Sequence, residues 1–238
     1  KMNISSGIYI ECKPDKKFKS VISNNWLYLN NDTHKESKNL LPENNFSVII
    51  IKYTDKINFE ILKPHSEKIK LPKKFEYARG VSLIPIYDFS NINFNIPINI
   101  FESGLSDEED LKNSFQKIND LIFSEIENLE IDLNIQNILN EIIKNPESKI
   151  SELIKEEKVN ERTIQRKFKK ISGISLKQFA MIEKFKESTN KLALEGIYKD
   201  VMRYYDQSNF INEFKKLSGS NPSEFIRRQN KLKIKILR

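Results

Sequence analysis

The chain has 238 residues, 38% hydrophobic and 31% charged, which is enough apolar material to bury a core without disulfides or metal. A single cysteine, Cys12, excludes an internal disulfide framework and a cysteine-based zinc site, and two histidines, His34 and His65, offer little for any other metal centre. Forty basic residues against 33 acidic ones leave a net charge of +7, which suits an anionic partner.

That charge is unevenly placed. Positions 1–144 hold 18 basic and 21 acidic residues, and positions 145–238 hold 22 and 12. The asymmetry points to nucleic acid in the second part, although a lysine-rich solvated surface produces the same count. No apolar run approaches the ~18 residues of a membrane span, and no signal-peptide pattern opens the sequence, so a cytoplasmic protein without membrane contact is expected.

In chain order, the first hundred residues read as β. Runs at 8–10, 25–29, 46–53 and 57–62 are rich in β-branched and aromatic residues and are separated by Asn, Asp, Lys and Pro. Phe94-Asn95-Ile96 and Ile98-Asn99-Ile100 alternate apolar and polar, as a half-buried strand does. Closely spaced strands of this kind predict a barrel or sandwich. Trp26, Tyr28, Phe46 and Tyr53 are candidates to line a pocket for an apolar or planar effector, and core packing explains the same four residues.

The period then changes. Ser106 is the expected N-cap of a helix whose first turn carries Asp107, Glu108, Glu109 and Asp110 against the positive helix end. Leu111, Phe115, Ile118, Ile122, Ile126 and Leu129 recur on one face. That stripe suits packing on the β part; the alternative is a homodimer-forming helix, because Leu121 and Phe123 leave a second stripe to be covered. A following helix places Ile135, Ile138, Leu139, Ile142 and Ile143 on its buried face and ends before Pro146. Short helices continue to the end of the sequence without an evident tandem repeat. The alternating residues 231–236 suit a DNA-touching segment, an edge strand or a frayed end.

Residues 150–168 (ISELIKEEKVNERTIQRKF) have the build of a helix-turn-helix. Ile150, Leu153 and Ile154 form one apolar face, Val159 fills the turn, Asn160 caps the next helix, and Ile164 and Phe168 anchor it. Arg162, Gln165, Arg166 and Lys169 remain on other faces. Arg reads guanine and Gln reads adenine through paired hydrogen bonds, so these groups suit a major groove. An ordinary helical hairpin gives a similar pattern.

Phe168-Lys169-Lys170, Gly173-Ile174-Ser175 and Gln178-Phe179 resemble the stretch after the first helix-turn-helix of the AraC/XylS family of bacterial transcription regulators. The resemblance continues through Lys184-Phe185 and Leu192 to Tyr204-Tyr205-Asp206-Gln207-Ser208-Asn209-Phe210. It ends on Glu213-Phe214-Lys215-Lys216-Leu217-Ser218-Gly219 and Asn221-Pro222-Ser223-Glu224-Phe225. It covers 150–228; the β part, through Gly80-Val81 and Leu83-Ile84-Pro85, is similar to the sensory half of many members.

The resemblance implies an α+β architecture. A β-rich, barrel- or sandwich-like (cupin-like) regulatory domain would cover 1–104, and a helical linker or dimerisation helix 105–133. An all-α domain with two helix-turn-helix units would cover 134–230, and a basic tail 231–238. Seven helices would lie within 134–228, with a linker helix at 176–194 and a first recognition helix at 161–170. Base contacts would fall to Arg162, Gln165 and Arg166, then to Gln207, Ser208, Asn209 and Asn212 on a second recognition helix beginning at Asp206. Lys169, Lys170, Lys215 and Lys216 would contact phosphates. The expected partners are double-stranded DNA, RNA polymerase and a small-molecule effector, with no cofactor, no metal and no enzymatic activity.

Departures from the family pattern shape the expectation. Lys158 stands where the turn usually has glycine, which predicts a looser turn or another type. Ile154 replaces a small residue, Lys184 an arginine and Ser188 an alanine. The segment 195–203 is about a helical turn short, so the first unit is expected to dominate base reading. An alternative is an interaction protein whose degenerate second unit docks onto another regulator or the polymerase.

Overall fold

The computed structural model describes residues 7–30, 39–71, 74–87, 89, 92, 94, 96–103, 105–195, 207–229 and 232–237. The architecture is α+β. Six strands form one sheet: β1 (Gly7–Cys12), β2 (Ile22–Leu29), β4 (Phe46–Lys52), β5 (Ile57–Leu62), β7 (Tyr77–Leu83) and β8 (Leu232–Leu237). Their order is β5-β4-β7-β2-β1-β8, linear with two edges, while β3 (Asn39–Leu40) and β6 (Ile69–Lys70) pair separately. All neighbours in the large sheet run antiparallel except β1 and β8, which run parallel.

Strand β4 shows why its sequence is apolar at nearly every position: both faces of the sheet are covered. Phe46, Val48 and Ile50 join Ile22, Leu27, Val81 and Leu83 on one face. Ile49 and Ile51 join Trp26, Ala78, Leu71 and Phe75 on the other. The central strand β7 is the one the sequence hides, because Arg79 and Gly80 interrupt its apolar pattern. Gly80 lies opposite Trp26 in the ladder, and a side-chain carbon there would come within 2.6 Å of the indole. Arg79, fully buried, donates to the Ser103 carbonyl (2.8 Å) and the Ser114 hydroxyl (2.7 Å) and lies over the Phe115 ring at 4.2 Å. Burial pulls its pKa down to about 10.

Residues 98–100 are helical, where alternation predicts a strand. They open α1 (Ile98–Glu102), with Pro97 at its N-cap. Proline fixes φ near −65° and favours a helix start, which outweighs a short alternating pattern. Helix α2 (Glu108–Ile126) is capped by Asp107, one residue after the expected Ser106, and the Asp107 carboxylate accepts the Asp110 N–H at 2.9 Å. Ser106 instead donates to the Asp110 carboxylate. Leu111, Phe115, Ile118, Ile122 and Ile126 are buried against the sheet, each contributing roughly 1.5–3 kcal/mol. Phe123 packs edge-on against Phe18, and it and Leu121 are half-buried against the same core.

Helix α3 (Leu133–Lys144) buries Ile135, Ile138, Leu139 and Ile142, while Ile143 is 41% exposed. Then follow α4 (Ile150–Glu156), α5 (Glu161–Ser172), α6 (Leu176–Glu195), α7 (Gln207–Ser218) and α8 (Pro222–Gln229). Six of the seven helices expected in this part are therefore described; the segment 196–206, where the remaining one is expected, lies outside the described residues. One contiguous set of buried side chains runs from the sheet through α2 and α3 to Ile154, Phe168 and Phe179. Residues 1–104 and 134–230 thus meet through a shared core. Residues 232–237, expected within a tail, are part of the sheet.

Candidate nucleic-acid interface

The first candidate unit is built by α4, a four-residue connection and α5. Helix α4 ends as the Glu157 N–H donates to the Leu153 carbonyl (3.3 Å). The chain then turns at Lys158, whose φ of 56° is left-handed, the region normally left to glycine. Lysine itself thus takes the left-handed conformation at the position where a looser turn or another type is expected. Asn160 caps α5, its side-chain oxygen accepting the Thr163 N–H at 3.1 Å.

Ile164, Phe168 and Ile171 fix the inner face of α5, with Phe168 edge-on to Phe179 of α6 at 5.8 Å. Asp132 fastens one flank: it caps α3 through the Ile135 N–H (3.0 Å) and pairs with Lys167. Its partial burial raises the carboxyl pKa, but the bonds from Lys167 and Ile135 outweigh this, and the net shift is downward. Lys167 is thereby committed to structure.

Arg162, Arg166, Lys169 and Lys170 are all exposed on the outward side of α5, and none forms an ion pair among the described residues. Gln165 is placed differently. It is half-buried and, with Glu161, lines an open groove of about 430 Å3 bounded by Pro146, Lys177, Met181 and Lys184. The candidate base-reading residues of α5 thus divide into an outward pair, Arg162 and Arg166, and a flanking Gln165.

A second stretch repeats the first at a constant offset. Phe168, Ser172, Gly173 and Phe179 correspond to Phe214, Ser218, Gly219 and Phe225. The Ser172 hydroxyl donates to the Phe168 carbonyl (2.9 Å) and accepts the Ile174 N–H (3.2 Å). Ser218 does the same with Phe214 (2.7 Å) and Ser220 (3.2 Å). Gly173 and Gly219, at φ 82° and 77°, end α5 and α7 in the left-handed conformation. Sequence reading misses this repeat because substitutions surround it; the FKK-x-SG spacing was the available signal.

On α7, Phe210 and Phe214 face Phe185 and Phe225 in a small separate core, while Asn212, Lys215 and Lys216 are exposed. Gln207, Ser208 and Asn209 open this helix; their side chains, and all of Asp206, lie outside the described residues. So does most of the shortened segment 195–203.

The seam between sheet and helices contains a polar cluster with no sequence motif. Lys186 of α6 donates to the carboxylates of Glu43 (3.1 Å) and Glu183 (3.2 Å) and to the Asn44 side-chain oxygen Oδ1 (3.2 Å). Asn44 closes the ring by donating to Glu183 at 2.6 Å. Burial pulls the Lys186 pKa down, but Glu43 and Glu183 outweigh it and the net shift is upward. Glu11 of β1 faces the same seam, and burial raises its pKa despite Lys186.

The four aromatics expected to line an effector pocket do not share one surface. Trp26, Tyr28 and Tyr53 belong to one face of the sheet, and Phe46 is fully buried on the other. The strand alternation that packs Phe46 against Phe89 turns it away from Trp26. Cys12 is buried, and burial pushes its thiol pKa up. Among the described residues no cluster of His, Cys, Asp or Glu could hold a metal ion, and no helix is long and apolar enough to cross a membrane.

No protein-family model and no curated protein matches the chain. Among solved structures it is similar to ToxT from Vibrio cholerae O395, at 12% identity over 81% of this chain and 92% of that one, with a TM-score of 0.48. A 1.65 Å structure of ToxT from Vibrio cholerae gives 14% identity, coverage of 86% and 97%, and a TM-score of 0.48. ToxT bound to (E)-4-(8-methylnaphthalen-1-yl)but-3-enoic acid gives 14%, coverage of 94% and 98%, and a TM-score of 0.49.

Proposed function

We propose that the chain is a sequence-specific DNA-binding transcription regulator whose principal reading element is α5. One observation carries this: α5 follows a tight left-handed turn and a side-chain N-cap, is anchored by Ile164 and Phe168, and presents Arg162, Arg166, Lys169 and Lys170 outward. A helix whose basic outer face forms no ion pair among the described residues matches the depth and charge of a major groove. Arg162 and Arg166 would read bases, and Lys169 and Lys170 would hold phosphates. Gln165 would reach a base edge from the flank. On α7, Gln207, Ser208, Asn209 and Asn212 would face a second groove, with Lys215 and Lys216 on the backbone. The β-rich part would regulate, with the Trp26–Tyr28–Tyr53 face as the place for an apolar effector. Activation would proceed by contact with RNA polymerase.

Binding to sequences selected from random DNA tests the reading. Affinity is expected to fall steeply with salt, and Arg162→Ala with Arg166→Ala to remove the preference over random DNA, while each alone costs about 1–3 kcal/mol of discrimination. Salt-insensitive binding, or selection that enriches no sequence, refutes it.

A further inference from the structure

Strand β8 lies against β1 in parallel register, from Gly7 opposite Leu232 to Cys12 opposite Leu237, and the Lys13 N–H donates to the Leu237 carbonyl at 3.3 Å. Only two residues separate it from α8, which ends at Gln229. Three Cα–Cα steps span at most about 11 Å, so the end of α8 stays close to the first strand of the sheet. Leu237 and Cys12 are both buried in the main core.

Among the described residues the α7–α8 unit has a small core of its own. Its buried core is Phe210, Phe214, Leu217 and Phe225 with Phe185 of α6, separate from the contiguous core that joins the sheet, α3 and α5. Leu41 packs against it, and the Lys68 side chain fills the space beside Gly219. We propose that β8 is a strap by which the sheet holds the α7–α8 unit, so that β1 as well as α6 sets the attitude of this unit. A shift of β1 is then carried to α8 through a connection too short to absorb it. In the proposed regulator, this is a mechanical route from the sheet to the second recognition helix. The strap itself rests on the strand register and needs no DNA.

Hydrogen exchange of the full chain, read by peptide and without DNA, tests it. The bond from the Lys13 N–H to the Leu237 carbonyl sets a ladder in which the Lys235 N–H is aimed at β1, so Lys235→Pro removes a backbone donor between the two strands. The expected result is at least tenfold faster exchange across 207–229 with 133–172 unchanged. Faster exchange confined to β1 and β8 overturns the strap and leaves β8 a passive edge cover. Should Lys235→Pro loosen the whole chain, Leu237→Cys decides. Neighbouring strands lie about 4.8 Å apart, within disulfide reach, and Cys12 is the sole native cysteine. The oxidised protein should exchange at least tenfold more slowly over 207–229 than the same protein reduced. Equal exchange in the two forms, or a disulfide that links two chains, overturns the proposal. Because no DNA is present, either failure leaves the nucleic-acid reading untouched, and loss of DNA preference leaves the strap untouched.

Discussion

Lys158 holds a left-handed backbone with φ of 56° between α4 and α5, where a side-chain carbon crowds the following carbonyl at about 1–2 kcal/mol. The surrounding structure imposes this conformation. Helix α4 stops at Glu157, Val159 is half-buried, and Asn160 must face the α5 N-terminus, so one residue between them has to reverse the chain. Glycine adopts that φ without the side-chain penalty but loses more freedom on folding. Lys158→Gly is expected to stabilise the chain by about 0.5–1 kcal/mol, seen as a higher urea midpoint at unchanged slope. An unchanged or lower midpoint would show that the lysine is not strained.

At the scale of elements, the β2–β7 pair shows how one residue sets a strand's place. Trp26 is 7% exposed and spreads over Gly80 of the neighbouring strand, so the sheet accommodates a large indole only because its partner has no side chain. Gly80→Ala is expected to cost about 1–3 kcal/mol through overpacking. Trp26 is the sole tryptophan, so its fluorescence should shift as the ring is displaced, and an unaltered spectrum with unaltered stability would contradict the contact. The helices obey the same logic: the α2 stripe was legible in its spacing because one face meets the sheet. Ile143, with the same chemistry, is 41% exposed. Spacing identifies a face; only neighbours decide how far burial extends.

Across the whole molecule, charge gathers at the seam between sheet and helices. Glu11 meets the electrostatic fields of Lys186, Lys13 and Glu43 and a hydrogen bond from Asn24, yet burial dominates and its pKa is raised. The folded chain therefore holds the Glu11 proton more tightly than the unfolded chain. The associated stability is fully present below the unfolded value, about 4.3, and is lost as pH rises through the raised folded value. Glu11→Gln is expected to be more stable than the parent at pH 7, with the gap closing below about pH 4, as followed by denaturant unfolding across pH. A gap that persists at low pH would place the effect in packing and not in ionisation.

Local chemistry wrote much of this protein into its sequence. The runs that became β1, β2, β4 and β5, the stripe of α2, the Asn160 cap and the basic face of α5 follow from side-chain period, propensity and charge, which act within a few residues. Strand β7 was masked by Arg79 and Gly80, whose fitness depends on Ser114, Phe115 and Trp26, all distant in sequence. The Lys186 cluster likewise joins residues 43, 44, 183 and 186, and the parallel pairing of β8 with β1 joins opposite ends of the sequence. Local pattern determines which segments form elements and which faces are apolar; which faces meet, and which charges they bury together, is decided only when the tertiary structure brings distant residues into one core.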